Sequence, residues 1–172
     1  MRFEILGRTV AVLGGKPKVK PIEVLRLVAE IDSRHGTITQ VFDAQKVAGR
    51  EHLLHAAFLA LLSEDRGERF ANDPRLNLLC WVAAERQIGV ALQKVGITAE
   101  TKEVAVVVVG RSESSVASAV GEVSELLKRD DKVLSLSAKK RRNLLKIFSL
   151  PPVTERVEKL VLEKIALLEL AK

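Results

Sequence analysis

Residues 104–109, Val-Ala-Val-Val-Val-Val, form an unbroken apolar run that is almost wholly β-branched. β-Branched side chains are stiff at the first torsion and suit a pleated sheet better than a helix. A strand without polar alternation has no face to give to water, so this one is buried on both faces. Any fold of the chain has to cover it from two sides. Gly110 ends the run, and Ser112 is placed to cap a helix reaching residue 127.

The rest of the chain supplies that cover. Residues 2–6 and 9–13 read as antiparallel strands joined by a tight turn at Gly7-Arg8, and Gly14-Gly15-Lys16-Pro17 ends the second. Pro21 opens a helix to about residue 33, with Leu25, Val28, Ala29 and Ile31 on its apolar side and His35-Gly36 as its stop. Residues 37–42 read as a strand, after which Asp43 caps a turn and Gly49 breaks the pattern. A main helix follows over 50–62, with Leu54, Ala57, Phe58 and Leu61 at helical spacing, then a polar loop over 63–70. Asp73-Pro74 starts the next helix, whose pattern weakens near Arg86, which predicts two helices or a kink before Gly96. Residues 132–136 read as a short strand and 139–148 as a basic amphipathic helix with Leu144, Leu145 and Phe148 inward. Pro151-Pro152 separates it from a last helix beginning at Thr154. This is a single α+β domain over residues 1–172, with a small mixed or antiparallel sheet packed with several helices. Residues 137–150 stand out as a basic helical insert.

Composition narrows the function classes. The chain is 47% hydrophobic and 29% charged, which suits a globular protein rather than a disordered one. No apolar run reaches bilayer-spanning length, and the first residues lack the apolar core of a signal peptide. A lone cysteine, Cys80, allows no intrachain disulfide, so the cytoplasm is the expected compartment. The net charge of +6 is concentrated at Lys139, Lys140, Arg141, Arg142 and Lys146, with a smaller cluster at Lys16, Lys18 and Lys20. Such clusters attract phosphate backbones. Aromatic residues make up only 3%, which argues against a sheet that stacks bases in series.

Two stretches, 43–62 and 77–97, carry more polar residues than packing requires: Lys46, Arg50, His52, His55, Glu85, Arg86 and Gln87. Glu51-His52-Leu53-Leu54-His55 invites comparison with a zinc-protease helix, but there the histidines lie four apart with the glutamate after the first. Here they lie three apart, the glutamate precedes them, and no third ligand cluster exists. Val109-Gly110-Arg111-Ser112 and Gly14-Gly15-Lys16 lack the full pattern of a nucleoside-triphosphate loop. No nucleophile sits in a recognisable elbow, so no enzyme activity, cofactor or metal is expected. Arg offers a donor fork suited to phosphate, and Gln a donor and acceptor suited to a base edge. An internal Arg86–Glu85 pair would account for the same residues. From the residues alone, the pair of stretches stands between a core edge, a metal-dependent hydrolase using Glu51, His52 and His55, and an RNA contact.

Asp43-Ala44, Val47, Gly49, Glu51 to Ala57, Phe70-Ala71, Leu78 to Ile88, Ala91 and Gly96-Ile97 together resemble the PRPK-binding protein family, the small accessory subunit of the KEOPS complex. Residues 156–168 are similar to that family's closing helix. The absence of tyrosine and the high charge suit an archaeal, heat-adapted member. Two departures are visible: residues 62–68 are more acidic than the family's turn, and Ala84 stands where glycine is common. The resemblance implies a non-catalytic subunit of the machinery that forms threonylcarbamoyl-adenosine on tRNA. It implies two partners, a kinase-like ATPase subunit and the single-stranded 3′ CCA end of tRNA. Lys46, Arg50, His52, His55, Arg86 and Gln87 are the residues expected to bind tRNA. Val161, Leu162, Ile165 and Leu168 of the last helix are those expected to bind the kinase subunit, because apolar residues, Leu162 and Leu167 among them, occupy more than one of its sides. A helix wedged in its own core would show the same pattern. A stand-alone RNA-binding protein driven by 139–146 is the other binding alternative.

Overall fold

The computed structural model describes residues 2–171, and the side chains of all of these except Thr154. The elements in chain order are β1 (Arg2–Ile5), β2 (Arg8–Pro17), α1 (Pro21–His35), β3 (Ile38–Asp43), α2 (Arg50–Asp65), α3 (Pro74–Ala83), α4 (Ile88–Val95), β4 (Val104–Gly110), α5 (Glu113–Glu125), β5 (Leu127–Arg129), α6 (Ala138–Ile147) and α7 (Val157–Leu170). Short 3-10 turns cover Ala44–Lys46, Asp131–Leu134 and Thr154–Arg156. The sheet is antiparallel throughout, in the order β1-β2-β4-β3, and β5 joins the β1 side of β2 further along.

The valine run is the centre of this arrangement. All seven residues of β4 are buried, flanked by β2 and β3. Strand periodicity sends alternate residues to opposite faces. Ala105, Val107 and Val109 join the core made with α2, α3, α4, α6 and α7. Val104, Val106 and Val108 join the core made with α1 and α5. Each valine removed from water is worth about 1.5–3 kcal/mol.

Two details position the helices that matter below. Asp32 of α1, nearly fully buried, accepts hydrogen bonds from Thr37 Oγ1, Thr39 Oγ1 and the Thr39 amide, and from the Nε and Nη2 of Arg75 in α3. One carboxylate thereby ties α1, β3 and α3 together across the edge of the sheet. Ser63 of α2 is also buried; it donates to the Ala60 carbonyl and accepts from Asn77 Nδ2 and Trp81 Nε1 of α3.

Several local expectations change. Gly14-Gly15 does not end β2; the strand runs on to Pro17. A Cβ on Gly14 would stand 2.5 Å from Val133 Cγ2, and one on Gly15 2.6 Å from the Lys128 carbonyl oxygen. Glycine is there to let neighbours close in. Residues 132–136 form no strand: Asp131–Leu134 is a 3-10 turn, and the additional strand is β5, where the end of a helix and a turn were expected. Leu25 and Ala29 face water, and Val24 replaces them in the core of α1. α2 runs to Asp65 instead of ending at Leu62, because Ser63 turns inward. Among the described residues, no helix is long and apolar enough to cross a membrane.

Candidate functional site

The helix pair meets around the start of α2. Gly49, at φ +99°, precedes α2 with its Cα packed so closely that a Cβ would lie 3.1 Å from the Leu134 carbonyl oxygen. Glycine provides no side-chain cap, and His52 compensates from the first turn. Its Nδ1 accepts the Ala48 amide at 2.8 Å, and its Nε2 donates to the Val82 carbonyl at 2.8 Å. These bonds fix the Nε2-protonated tautomer and tie α2 to α3. The ring is 1% exposed and stands edge-on to Phe148, the residue that caps the C-terminus of α6, with centroids 5.6 Å apart. Burial, helped by the nearby Lys140 ammonium, pushes its pKa down to about 4. His52 is therefore a neutral structural side chain. It cannot reach RNA, and with both nitrogens spent it cannot ligate a metal.

The other expected tRNA-binding residues separate into two groups. Lys46 is half-buried beside the end of α4, with Nζ 3.4 Å from the Gly96 carbonyl oxygen and 4.0 Å from Asp43 Oδ2. Arg86 and Gln87 are exposed at the other end of that helix. An eight-residue helix is about 12 Å long, which sets the scale of their separation. The turn that presents Arg86 and Gln87 depends on Ala84 in the left-handed region at φ +53°, which explains why glycine would suit the position. The Arg86 guanidinium donates to the Ala171 carbonyl at the end of α7. Glu85 pairs with Lys94 at 3.1 Å, not with Arg86, and Lys94 Nζ lies 4.8 Å over the Phe148 ring. Lys94 was missed in the sequence, although it lies seven residues after Gln87, two helical turns along the same side.

Arg50 and His55 belong to α2. Arg50 borders a cavity of about 350 Å³ that is also lined by Glu51, Asp131, Arg141 and Glu158, and its Nη2 is 3.9 Å from Asp131 Oδ2. His55 is half-exposed, one turn from the 38%-exposed Phe58.

The basic insert is part of the core layer. Leu144 and Phe148 are buried, as expected, but so is Lys140, which is 1% exposed. Its Nζ donates to the carbonyls of Val133 at 3.1 Å, Leu134 at 3.4 Å and Ser135 at 3.5 Å, closing the 3-10 turn before α6. Burial lowers its pKa to about 8 against the opposing pull of Glu103 and Asp43. Arg141 Nη2 sits 3.5 Å from Glu158 Oε1. Lys139, Arg142 and Lys146 alone of that cluster are exposed.

On α7 the expected kinase-binding set is split. Val161 and Ile165 are fully buried with Val157, so these two hold the helix to its own protein and present nothing to a partner. Leu162 and Leu168 are half-buried. The most exposed apolar side chains of the helix are Leu167 at 51% and Leu170 at 81%. These two leucines, three residues apart, give the outer end of α7 an exposed apolar side.

A family model described as kinase binding protein CGI-121 matches residues 25–169. The chain belongs to the CGI-121 family of kinase-binding proteins. No curated protein matches the chain. The matched stretch runs from α1 to the last turns of α7 and leaves out β1 and β2. All six expected tRNA-binding residues and all four expected kinase-binding residues lie within it, and Leu167 lies inside it while Leu170 falls just beyond. Among the described residues, no group of three or more His, Cys, Asp and Glu side chains converges as a metal site would require.

Proposed function

We propose that this chain is the non-catalytic accessory subunit of the KEOPS tRNA-modification complex, working in the cytoplasm. It binds the kinase-like ATPase subunit and recruits tRNA through its 3′ CCA end. The observation that carries the reading is the apolar end of α7, left in water in a chain whose family binds a kinase. The kinase contact is formed by Leu162, Leu167, Leu168 and Leu170, while Val161 and Ile165 anchor the helix beneath them.

The tRNA surface runs along α4, from Lys46 past Lys94 to Arg86 and Gln87, with Arg50 and His55 at its α2 side. Flexible single-stranded ends are read by phosphate contacts together with hydrogen bonds to base edges. Lys46, Lys94 and Arg86 are suited to the first and Gln87 to the second. The alternative of RNA binding driven by 139–146 is weakened by Lys140, which is spent inside the fold. A metal-dependent hydrolase is weakened by the engagement of His52.

The test is equilibrium binding of tRNA with and without its CCA end. Trimming is expected to weaken binding. Arg86→Ala is expected to weaken binding to intact tRNA and to reduce the slope of log affinity against log salt by about one. Equal affinity for intact and trimmed tRNA would contradict the 3′-end reading.

A further inference from the structure

The sheet carries a basic edge that the 3′-end reading does not use. In the β2–β5 ladder, Lys16 and Lys128 are direct cross-strand partners. Directly opposed side chains in an antiparallel pair sit about 5 Å apart at Cβ, and like charges there destabilise the pair. Both lysines are exposed. A lysine on β5 alone would be explained as a guard on an edge strand. A second lysine facing it from β2 adds repulsion without improving the guard.

A third charge stands on the same side. Val10 and Val12 of β2 point toward the core under α2, so Gly14 and Lys16 point the same way. The turn Asp131–Leu134 lies over Gly14, where Val133 Cγ2 closes to 2.5 Å from the position of a Cβ. Lys132 is exposed on that turn. Lys16, Lys128 and Lys132 therefore share one surface, and none is in an ion pair among the described residues. Of the bordering carboxylates, Asp131 is paired with Arg129, and Asp130 and Glu103 are held by the Lys132 amide and by Gln45 and pair with none of the three lysines.

We infer that this edge is a second RNA contact, one that receives the phosphate backbone of a double-helical segment. Two ammonium groups on a rigid ladder and a third on the turn beside it supply point charges for phosphates and nothing that reads bases. No exposed aromatic ring stands on β5, on the 131–134 turn or on α6, so stacking of single-stranded bases has no platform there. None of the most exposed large apolar residues lies on those elements either, so a lipid surface finds no anchor. The inference stands independently of the 3′-end reading.

The test is fluorescence anisotropy of a blunt RNA duplex over a salt series, using the full chain. The wild type is expected to bind. The triple variant Lys16→Gln/Lys128→Gln/Lys132→Gln is expected to lose about three from the log–log salt slope, with its melting temperature held or raised as the opposed charges are removed. Its preference for tRNA with an intact CCA end over trimmed tRNA is expected to persist. A control, Lys139→Gln/Arg142→Gln/Lys146→Gln, removes the same charge from α6 and is expected to keep the slope. No binding of the duplex by the wild type, an unchanged slope in the β2–β5 variant, or an equal loss in the α6 control would overturn the inference. So would binding to phosphatidylserine vesicles in place of the duplex.

Discussion

α2 and α7 both carry apolar residues on more than one side, and they use that surplus in opposite ways. α2 is enclosed by β2, α3 and α7, and buries His52, Leu53, Ala56, Ala57, Leu59, Ala60, Leu61 and Ser63. α7 buries a single stripe, Val157, Val161 and Ile165, and leaves Leu167 and Leu170 in water. Apolar surplus in a sequence thus marks either a helix at the centre of a layer or a helix at its rim with a side left over. The same contrast governs polar residues. His52 on α2 is locked inside the fold, whereas Arg86 and Gln87, on the connection after α3, are exposed, with Arg86 bonded to the Ala171 carbonyl at the end of α7.

Substitutions separate the two cases. Ile165→Arg buries an unpaired charge and should unfold the domain or cost more than about 4 kcal/mol, read by thermal or denaturant unfolding. Leu170→Arg on the same helix should change stability by less than about 0.5 kcal/mol. Comparable losses would erase the distinction between the buried stripe and the exposed end. His52→Ala should cost about 2–4 kcal/mol, since it opens a cavity and orphans the Ala48 amide and the Val82 carbonyl.

His52 also sets a pH dependence. Its folded pKa is about 4, below the 6.5 of the free side chain. The unfolded chain therefore takes up the proton first. Stability conferred by the neutral ring is fully present above pH 6.5 and is lost as pH falls toward 4, by up to about 3 kcal/mol. Denaturant titrations at pH 7 and pH 4.5 should show this loss, and His52→Gln should lack that component. A modest effect is expected of Lys94→Ala, which removes the Glu85 pair at the α3–α4 junction and should shift stability by about 0.5–1 kcal/mol. A larger loss would mean that the junction depends on Lys94 more than on Ala84.

What the sequence made legible follows from the range of each signal. The valine run, the Pro21, Asp43, Pro74 and Ser112 helix and turn starts, and the break at Arg86 are local, and each element lies where local chemistry puts it. The Gly14-Gly15 pair misled because its cause is remote: Val133 and Lys128 approach from more than a hundred residues away. β5 has three residues and too little length for a period to show. In the candidate site, the break in the helix pattern near Arg86 was legible, but the exposure of Arg86 and Gln87 was not, because an internal Arg86–Glu85 pair fits the same residues. His52 and Lys140 were not legible as buried, since titratable side chains enter a core only when partners elsewhere satisfy them. Those partners, the Val82 carbonyl and the carbonyls of residues 133–135, are backbone groups that no residue type announces.

The outer end of α7 is the proposed meeting point with the kinase-like subunit. Its most direct measurement is calorimetric titration of that subunit with the wild type and with Leu167→Arg/Leu170→Arg, after the variant's melting temperature has been shown to match. The double variant is expected to keep its fold and lose binding. Wild-type affinity in a folded double variant would contradict that placement.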